Sequence, residues 1–236
     1  MKRLGFTIAA TLVVAGGLSA QAQKKDVDIK AADGVALKAT YFSAGRTGPG
    51  MLLLHQCNMD RHAWDGLAKD LAGAGINVLT VDFRGYGDSG GDRAQRDKWP
   101  GDVDAAFAYL TAQKDVDKSR LAAGGASCGV TQSSDLAARR HEIKALMLLS
   151  GTTTDATRAY ITATVGLPVF GAASEGDTAA AQGIKQAVEA SKNPKSTLKL
   201  YAGTEHGVPM FAKNAELEPM IVTWVKTQLS VKSASY

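Results

Sequence analysis

The sequence predicts a doubly wound α/β fold, with a mostly parallel sheet, helices on both faces and right-handed crossovers. Three observations carry this. From residue 50 onward, short apolar runs alternate with amphipathic stretches, the pattern of strands buried on both faces and separated by surface helices. Glycine is frequent, at 25 residues, and proline scarce, at 6, which suits many short strand-to-helix turns rather than a Pro-rich linker. At 236 residues the chain is long enough for one α/β domain of ordinary size and short for two.

The elements follow in order. Residues 1–22 read as a secretory leader: Lys2 and Arg3 form a basic end, Leu4 to Leu18 an apolar stretch, and Ala20-Gln21-Ala22 a small-x-small cleavage site. The expectation is therefore an exported, periplasmic or secreted chain of residues 23–236, cleaved after Ala22. Val27-Asp28-Ile29 and Val35-Ala36-Leu37 alternate around Asp33-Gly34 and predict an antiparallel hairpin. Strands follow at Met51–Leu54, Ile76–Val81, Leu121–Ala123, Ile143–Leu149, Pro168–Gly171 and Thr197–Tyr201. Helices are predicted near 61–73, 100–113, 129–140, 178–191 and 214–229. The last carries Leu217, Met220, Ile221, Trp224, Val225 and Leu229 at helical spacing. Leu121–Ala123 has poor strand propensity, but its small residues let a helix pack close to a central strand.

Composition excludes several classes. Hydrophobic residues at 45% and charged residues at 21% argue against a disordered chain. Losing Lys2 and Arg3 with the leader leaves 25 basic against 23 acidic residues, scattered rather than clustered, so no nucleic-acid footprint is present. No run in the mature chain approaches the roughly eighteen apolar residues of a membrane span. With two cysteines, neither a disulfide-rich scaffold nor a four-cysteine zinc site is possible.

The chemistry concentrates at Gly125-Ala126-Ser127-Cys128-Gly129, a G-x-S-x-G stretch after a strand and before a helix. A sharp turn there exposes a Ser hydroxyl at the carboxyl end of the sheet, and the glycines avoid clashes with the neighbouring strand and helix. A Ser nucleophile needs a base and a group to orient it. Of four histidines, His206 lies directly after the last predicted strand, in Gly203-Thr204-Glu205-His206-Gly207. Asp177 follows the preceding strand, with Glu175 and Asp155 as alternative acids. His55 reads as a turn residue, and His62 and His141 as solvated helix residues. Asp82, Arg84 and Asp88 read as loop-stabilising, and Trp64 and Trp99 as packing residues.

Leu52-Leu53-Leu54-His55, Arg61-His62-Ala63-Trp64 and above all Val81-Asp82-Phe83-Arg84-Gly85-Tyr86-Gly87-Asp88-Ser89-Gly90 resemble the α/β-hydrolase superfamily. The chain is most similar to its dienelactone-hydrolase-like and small esterase branch, over about residues 27–230. The resemblance implies a mostly parallel eight-stranded sheet, with the order nucleophile, acid, base met by Ser127, Asp177 and His206. It also implies hydrolysis through an acyl-enzyme with no metal and no organic cofactor. The oxyanion hole would use the N–H of Cys128 and one from the turn after the first parallel strand. That donor is Cys57, or Gln56, which stands where a Gly is usual. A Cys128 nucleophile would lack both elbow glycines. The stretch from Leu149 to Pro168 is too short for a substantial cap. Such an open site suits soluble esters or lactones. A peptidase or acyltransferase of the same fold and a non-catalytic binding protein are the alternatives, and the oligomeric state stays open.

Both cysteines fall at the expected oxyanion positions. The simpler expectation is two small buried thiols fitted to tight turns. The alternative is a Cys57–Cys128 bridge, since two amides converging on one oxygen can have Cα atoms about 6 Å apart, near disulfide range.

Overall fold

The computed structural model describes residues 23–230, so the predicted leader at 1–22 lies outside the described residues. The chain forms an eight-stranded sheet in the order β1-β2-β4-β3-β5-β6-β7-β8. β1 (Gln23–Lys30) and β2 (Ala36–Ser43) make the antiparallel hairpin, with Ile29 opposite Leu37. β2 also runs antiparallel to β4 (Asn77–Val81). β3 (Gly48–Leu54), β5 (Val116–Ala126), β6 (Ile143–Leu149), β7 (Val169–Ser174) and β8 (Thr197–Tyr201) complete a parallel ladder with β4.

The apolar runs are strands because both faces are covered. In β3, Leu52 and Leu54 join a core with Val103, Phe107 and Leu110 of α2 (Trp99–Ala112) and Val130 and Leu136 of α3 (Cys128–Arg139). Met51 and Leu53 face the other layer, with Leu67 and Leu71 of α1 (Asp65–Gly73). α4 (Asp155–Ala163) and α5 (Thr178–Ala190) join the first layer through Ile161 and Ile184. α6 (Met210–Lys213) and α7 (Leu217–Leu229) join the second through Met210, Ile221 and Val225. Each fully buried aliphatic side chain contributes on the order of 1.5–3 kcal/mol, and this two-layer burial is the main stabilising term.

The structure extends the sequence reading in three places. The segment near 61–73 is a 3-10 turn at Arg61–Trp64 leading into α1. β5 is longer than Leu121–Ala123, because it lies between β3 and β6 and gains ladder bonds that its propensity does not predict. The segment between β6 and β7 holds α4, whose N-cap Thr154 accepts from the Thr157 amide at 3.1 Å. No large cap domain stands over the sheet among the described residues.

Two buried ion pairs brace the loop after β4. Asp82, fully buried, pairs with Arg61 and accepts the Asp88 amide at 3.0 Å. Arg84 is held bidentately by Asp102, with Nε and Nη2 at 2.7 and 2.6 Å from its two oxygens, and reaches Asp33 at 2.8 Å. Asp82, Arg84 and Asp88 are thus structural, and Trp64 and Trp99 are core residues at 0% and 3% exposure.

Candidate active site

The site lies at the carboxyl ends of β3, β5, β7 and β8, the usual crevice of a doubly wound sheet. Ser127 joins β5 directly to α3. Its φ of 53° and ψ of −117° place a non-glycine residue in a rarely populated region. The turn is fixed on both sides: the Ser127 amide donates to the Leu149 carbonyl at 3.0 Å, and its carbonyl accepts from the Val130 amide at 2.9 Å. The flanking glycines permit it. A Cβ on Gly125 would collide with the Gly129 carbonyl, and one on Gly129 with the carbonyl oxygen of Leu54. The first turn of α3 therefore sits directly against the end of β3.

That close approach brings the cysteines together. Cys57, in the turn after β3, and Cys128, the first residue of α3, form a disulfide with Cα atoms 5.8 Å apart. The expectation of two free thiols is corrected here. As an N-terminal helix residue, Cys128 has no intrahelical acceptor for its amide. Among the described residues no hydrogen bond engages the Cys57 amide.

The loop after β8 carries His206, and its next residue, Gly207, lies against Ala126: a Cβ there would stand 3.3 Å from the Ala126 Cβ. The Nδ1 of His206 lies 2.5 Å from Asp177 Oδ2, in the loop after β7. The two loops are tied together: the Gly176 amide donates to the Gly203 carbonyl at 2.8 Å and the Ser174 hydroxyl to the Glu205 carbonyl at 2.7 Å. The side chains of His206 and Asp177 are 42% and 20% exposed, so the imidazole faces solvent while the carboxylate is more sheltered. The alternative acids stand elsewhere. Asp155 is on the first turn of α4, 97% exposed and paired with Arg158. Glu175 is exposed on the loop surface.

Gln56 is 1% exposed and joins the two halves. Its Oε1 accepts the Val208 amide at 2.9 Å, while Nε2 donates to Asn58 Oδ1 at 2.8 Å and approaches the His206 carbonyl at 3.4 Å. Gly207, at φ 71°, is where a Cβ would strike Gln56 Oε1. His55 is fully buried beside Phe83 and Tyr86, with ring centroids 4.7 and 5.5 Å away. Its Nε2 accepts the Phe83 amide at 3.0 Å, so Nδ1 carries the proton and donates to the Gln56 carbonyl at 2.8 Å. Burial holds its pKa below the ordinary histidine value. His62 is exposed in the 3-10 turn, and His141 sits in the turn after α3, stacked on Tyr160, rather than on a helix. The clamping role of Gln56 had no signal in the sequence, because it depends on a loop 152 residues away.

Comparison with known proteins bears on the family and the fold. A family model described as alpha/beta hydrolase fold matches residues 49–209. A curated but uncharacterized protein of Mycobacterium tuberculosis is 36% identical over 118 residues, which is 49% of this chain and 42% of that protein. The chain thus spans less than half the length of the curated relatives it matches. Among solved structures, an esterase of Pyrococcus furiosus superposes with a TM-score of 0.72 at 19% identity, covering 96% of this chain and 100% of that one. A dienelactone hydrolase of Anabaena variabilis gives a TM-score of 0.72 at 17% identity, covering 89% and 99%.

Proposed function

The chain belongs to the alpha/beta hydrolase fold family, and from that premise we propose that it is a serine hydrolase of small carboxylic esters or lactones, working through an acyl-enzyme. The observation that carries this reading is the Asp177–His206 contact at 2.5 Å, set beside the strained Ser127 turn. Asp177 accepts the Nδ1 proton of His206, which leaves Nε2 as the base. Nε2 takes the Ser127 hydroxyl proton as Oγ attacks the acyl carbonyl. His206 then returns that proton to the leaving alkoxide, and the acyl group stays on Oγ. A water, deprotonated by the same Nε2, attacks the acyl-enzyme, and the proton passes from His206 to the departing Ser127 Oγ as the acid is released.

The negative charge of each tetrahedral intermediate falls at the amides of Cys128 and Cys57. Among the described residues neither amide has a backbone acceptor, and the α3 dipole adds to them. The Gln56 amide is the second choice, because this residue is buried whereas Cys57 is only half-buried. The absence of a large cap supports short, soluble substrates. The P. furiosus esterase and A. variabilis dienelactone hydrolase, similar in fold, are named for activities of this kind.

Export belongs to the same proposal. The disulfide supports it, since such bonds persist in oxidising compartments. Sequencing the mature N-terminus from the extracytoplasmic fraction is expected to begin at Gln23, and a cytoplasmic, full-length chain would refute export. For the activity, a fluorophosphonate probe is expected to label Ser127, with turnover of p-nitrophenyl esters highest for short acyl chains. A chain that resists the probe and hydrolyses none of the series would overturn the reading.

A further inference from the structure

We propose that the Cys57–Cys128 disulfide positions the oxyanion hole: it holds the Cys57 amide at its working distance from the Cys128 amide, and so makes turnover of the folded enzyme depend on the oxidised state. The inference rests on the serine-hydrolase reading above and extends it to two positioning side chains.

The two halves of the hole are fixed differently. The α3 half is rigid without the bridge, because Gly129 is seated on the end of β3 and both backbone groups of Ser127 are hydrogen-bonded. The β3 half is not. The Gln56 carbonyl is held by His55 Nδ1 at 2.8 Å and by the Met59 amide at 3.0 Å. Those bonds anchor Gln56 and close a turn across Cys57, but they engage neither backbone group of Cys57 itself. Among the described residues, no hydrogen bond engages either the amide or the carbonyl of Cys57. The residue is half-buried, and its sulfur is bonded to Cys128 across 71 residues of sequence. The covalent link therefore ties to α3 the one donor that is otherwise fixed only through the turn around it. Small residues of any kind would fit these tight turns, yet the two positions hold both cysteines of the chain.

An oxyanion donor contributes through its placement, so freeing one lowers kcat more than KM. A staple that only stabilised the fold would lower the melting temperature and leave kcat of the folded enzyme unchanged. Reduction by an added dithiol is a balanced exchange: the dithiol gives up two electrons and two protons as it closes to its cyclic disulfide, and Cys57 and Cys128 each take up one of each to become free thiols.

The test is steady-state hydrolysis of p-nitrophenyl acetate by the purified chain at 10 °C, before and after dithiothreitol, with thiols counted and near-UV circular dichroism recorded. Reduction is expected to lower kcat about tenfold to a hundredfold, with KM within about threefold. Reoxidation with oxidised glutathione is expected to restore it. The Cys57→Ser, Cys128→Ser double variant is expected to start at the reduced level and ignore both reagents. Two free thiols in the untreated chain would overturn the proposal, as would unchanged kcat after complete reduction. Unfolding of both the reduced chain and the double variant at 10 °C would overturn it too, since the bridge would then hold the fold rather than an amide. Failure of the underlying reading looks different: the oxidised enzyme itself shows no turnover and no labelling of Ser127.

Discussion

The side-chain oxygen of Gln56 accepts the Val208 amide at 2.9 Å, so one buried residue in the turn after β3 holds the loop that presents His206. The two halves of the candidate site, oxyanion turn and histidine loop, are thereby set relative to each other by a neutral hydrogen bond.

Replacing Gln56 by Met keeps its volume and removes that bond. The Val208 amide then loses its partner, at a cost of about 1–3 kcal/mol in unfolding free energy. A displacement near 1 Å at reacting groups can cost on the order of a hundredfold in rate. Gln56→Met is therefore expected to lower kcat about tenfold to a hundredfold with little change in KM. Kinetics near wild type, alongside the stability loss, would confine Gln56 to a structural role.

Ser127→Ala and His206→Ala are each expected to lower kcat/KM on p-nitrophenyl acetate by about 10⁴-fold or more, and the double variant to be no worse than either alone, because residues acting as one unit are not additive. Asp177→Asn is expected to cost about 10³–10⁴-fold, since the amide can stabilise the wrong imidazole tautomer. Asp155→Asn, at an exposed helix terminus, is expected to be silent. The reverse pattern between the two aspartates would move the acid to Asp155.

Much of this layout was legible in the sequence, because it is encoded locally. β6 and β8 are bounded by the residues that bound their apolar runs. Asp177 and His206 each follow a strand, and β7 and β8 are neighbours, so their side chains meet at one edge of the sheet. What escaped the reading is long-range or depends on small residues. The strand predicted at Leu121–Ala123 is present but runs from Val116 to Ala126, and at Gly124 a Cβ would press on Met147 and Met51, so only a bare backbone fits there between β3 and β6. The threonine-rich start of α4 hid a helix whose cap is Thr154 itself. The disulfide, named from the sequence as the alternative to two free thiols, depended on how closely α3 approaches β3, which Gly129 permits but does not announce.

Arg61 and Asp82 test what buried charge contributes to this framework. Their side chains are 6% and 0% exposed, while Asp88, the second partner of Arg61 at 2.9 Å, is 67% exposed. Removing one partner of a buried pair leaves an uncompensated charge, which costs about 3–5 kcal/mol. Removing an exposed partner costs about 0–1 kcal/mol. Urea unfolding is therefore expected to rank Asp82→Ala far below Asp88→Ala in stability. Equal losses would mean that water reaches the Arg61 guanidinium once Asp82 is gone.

The buried His55 predicts an acid limit on stability. Burial is the largest influence on this ring and lowers its pKa, outweighing the opposite pull of the Gln56 carbonyl and of Asp82. Its Nε2 is already an acceptor for the Phe83 amide, so a proton there would set two donors against each other. The unfolded chain, in contrast, binds that proton near the ordinary value of 6.5. Above this pH the neutral ring contributes its full stability. Below it, the unfolded state takes up a proton that the folded state refuses, so stability falls with pH until the lowered folded pKa is reached. The slope from this one group is at most about 1.4 kcal/mol per pH unit. Urea unfolding between pH 7.5 and 5.5 is expected to show a steeper loss in the wild type than in His55→Gln, which cannot titrate. The variant starts from a lower stability at pH 7.5, because the packing against Phe83 and Tyr86 is lost. Parallel pH profiles would show that His55 takes up its proton equally in the folded and unfolded chains, and would remove it as the source of acid sensitivity.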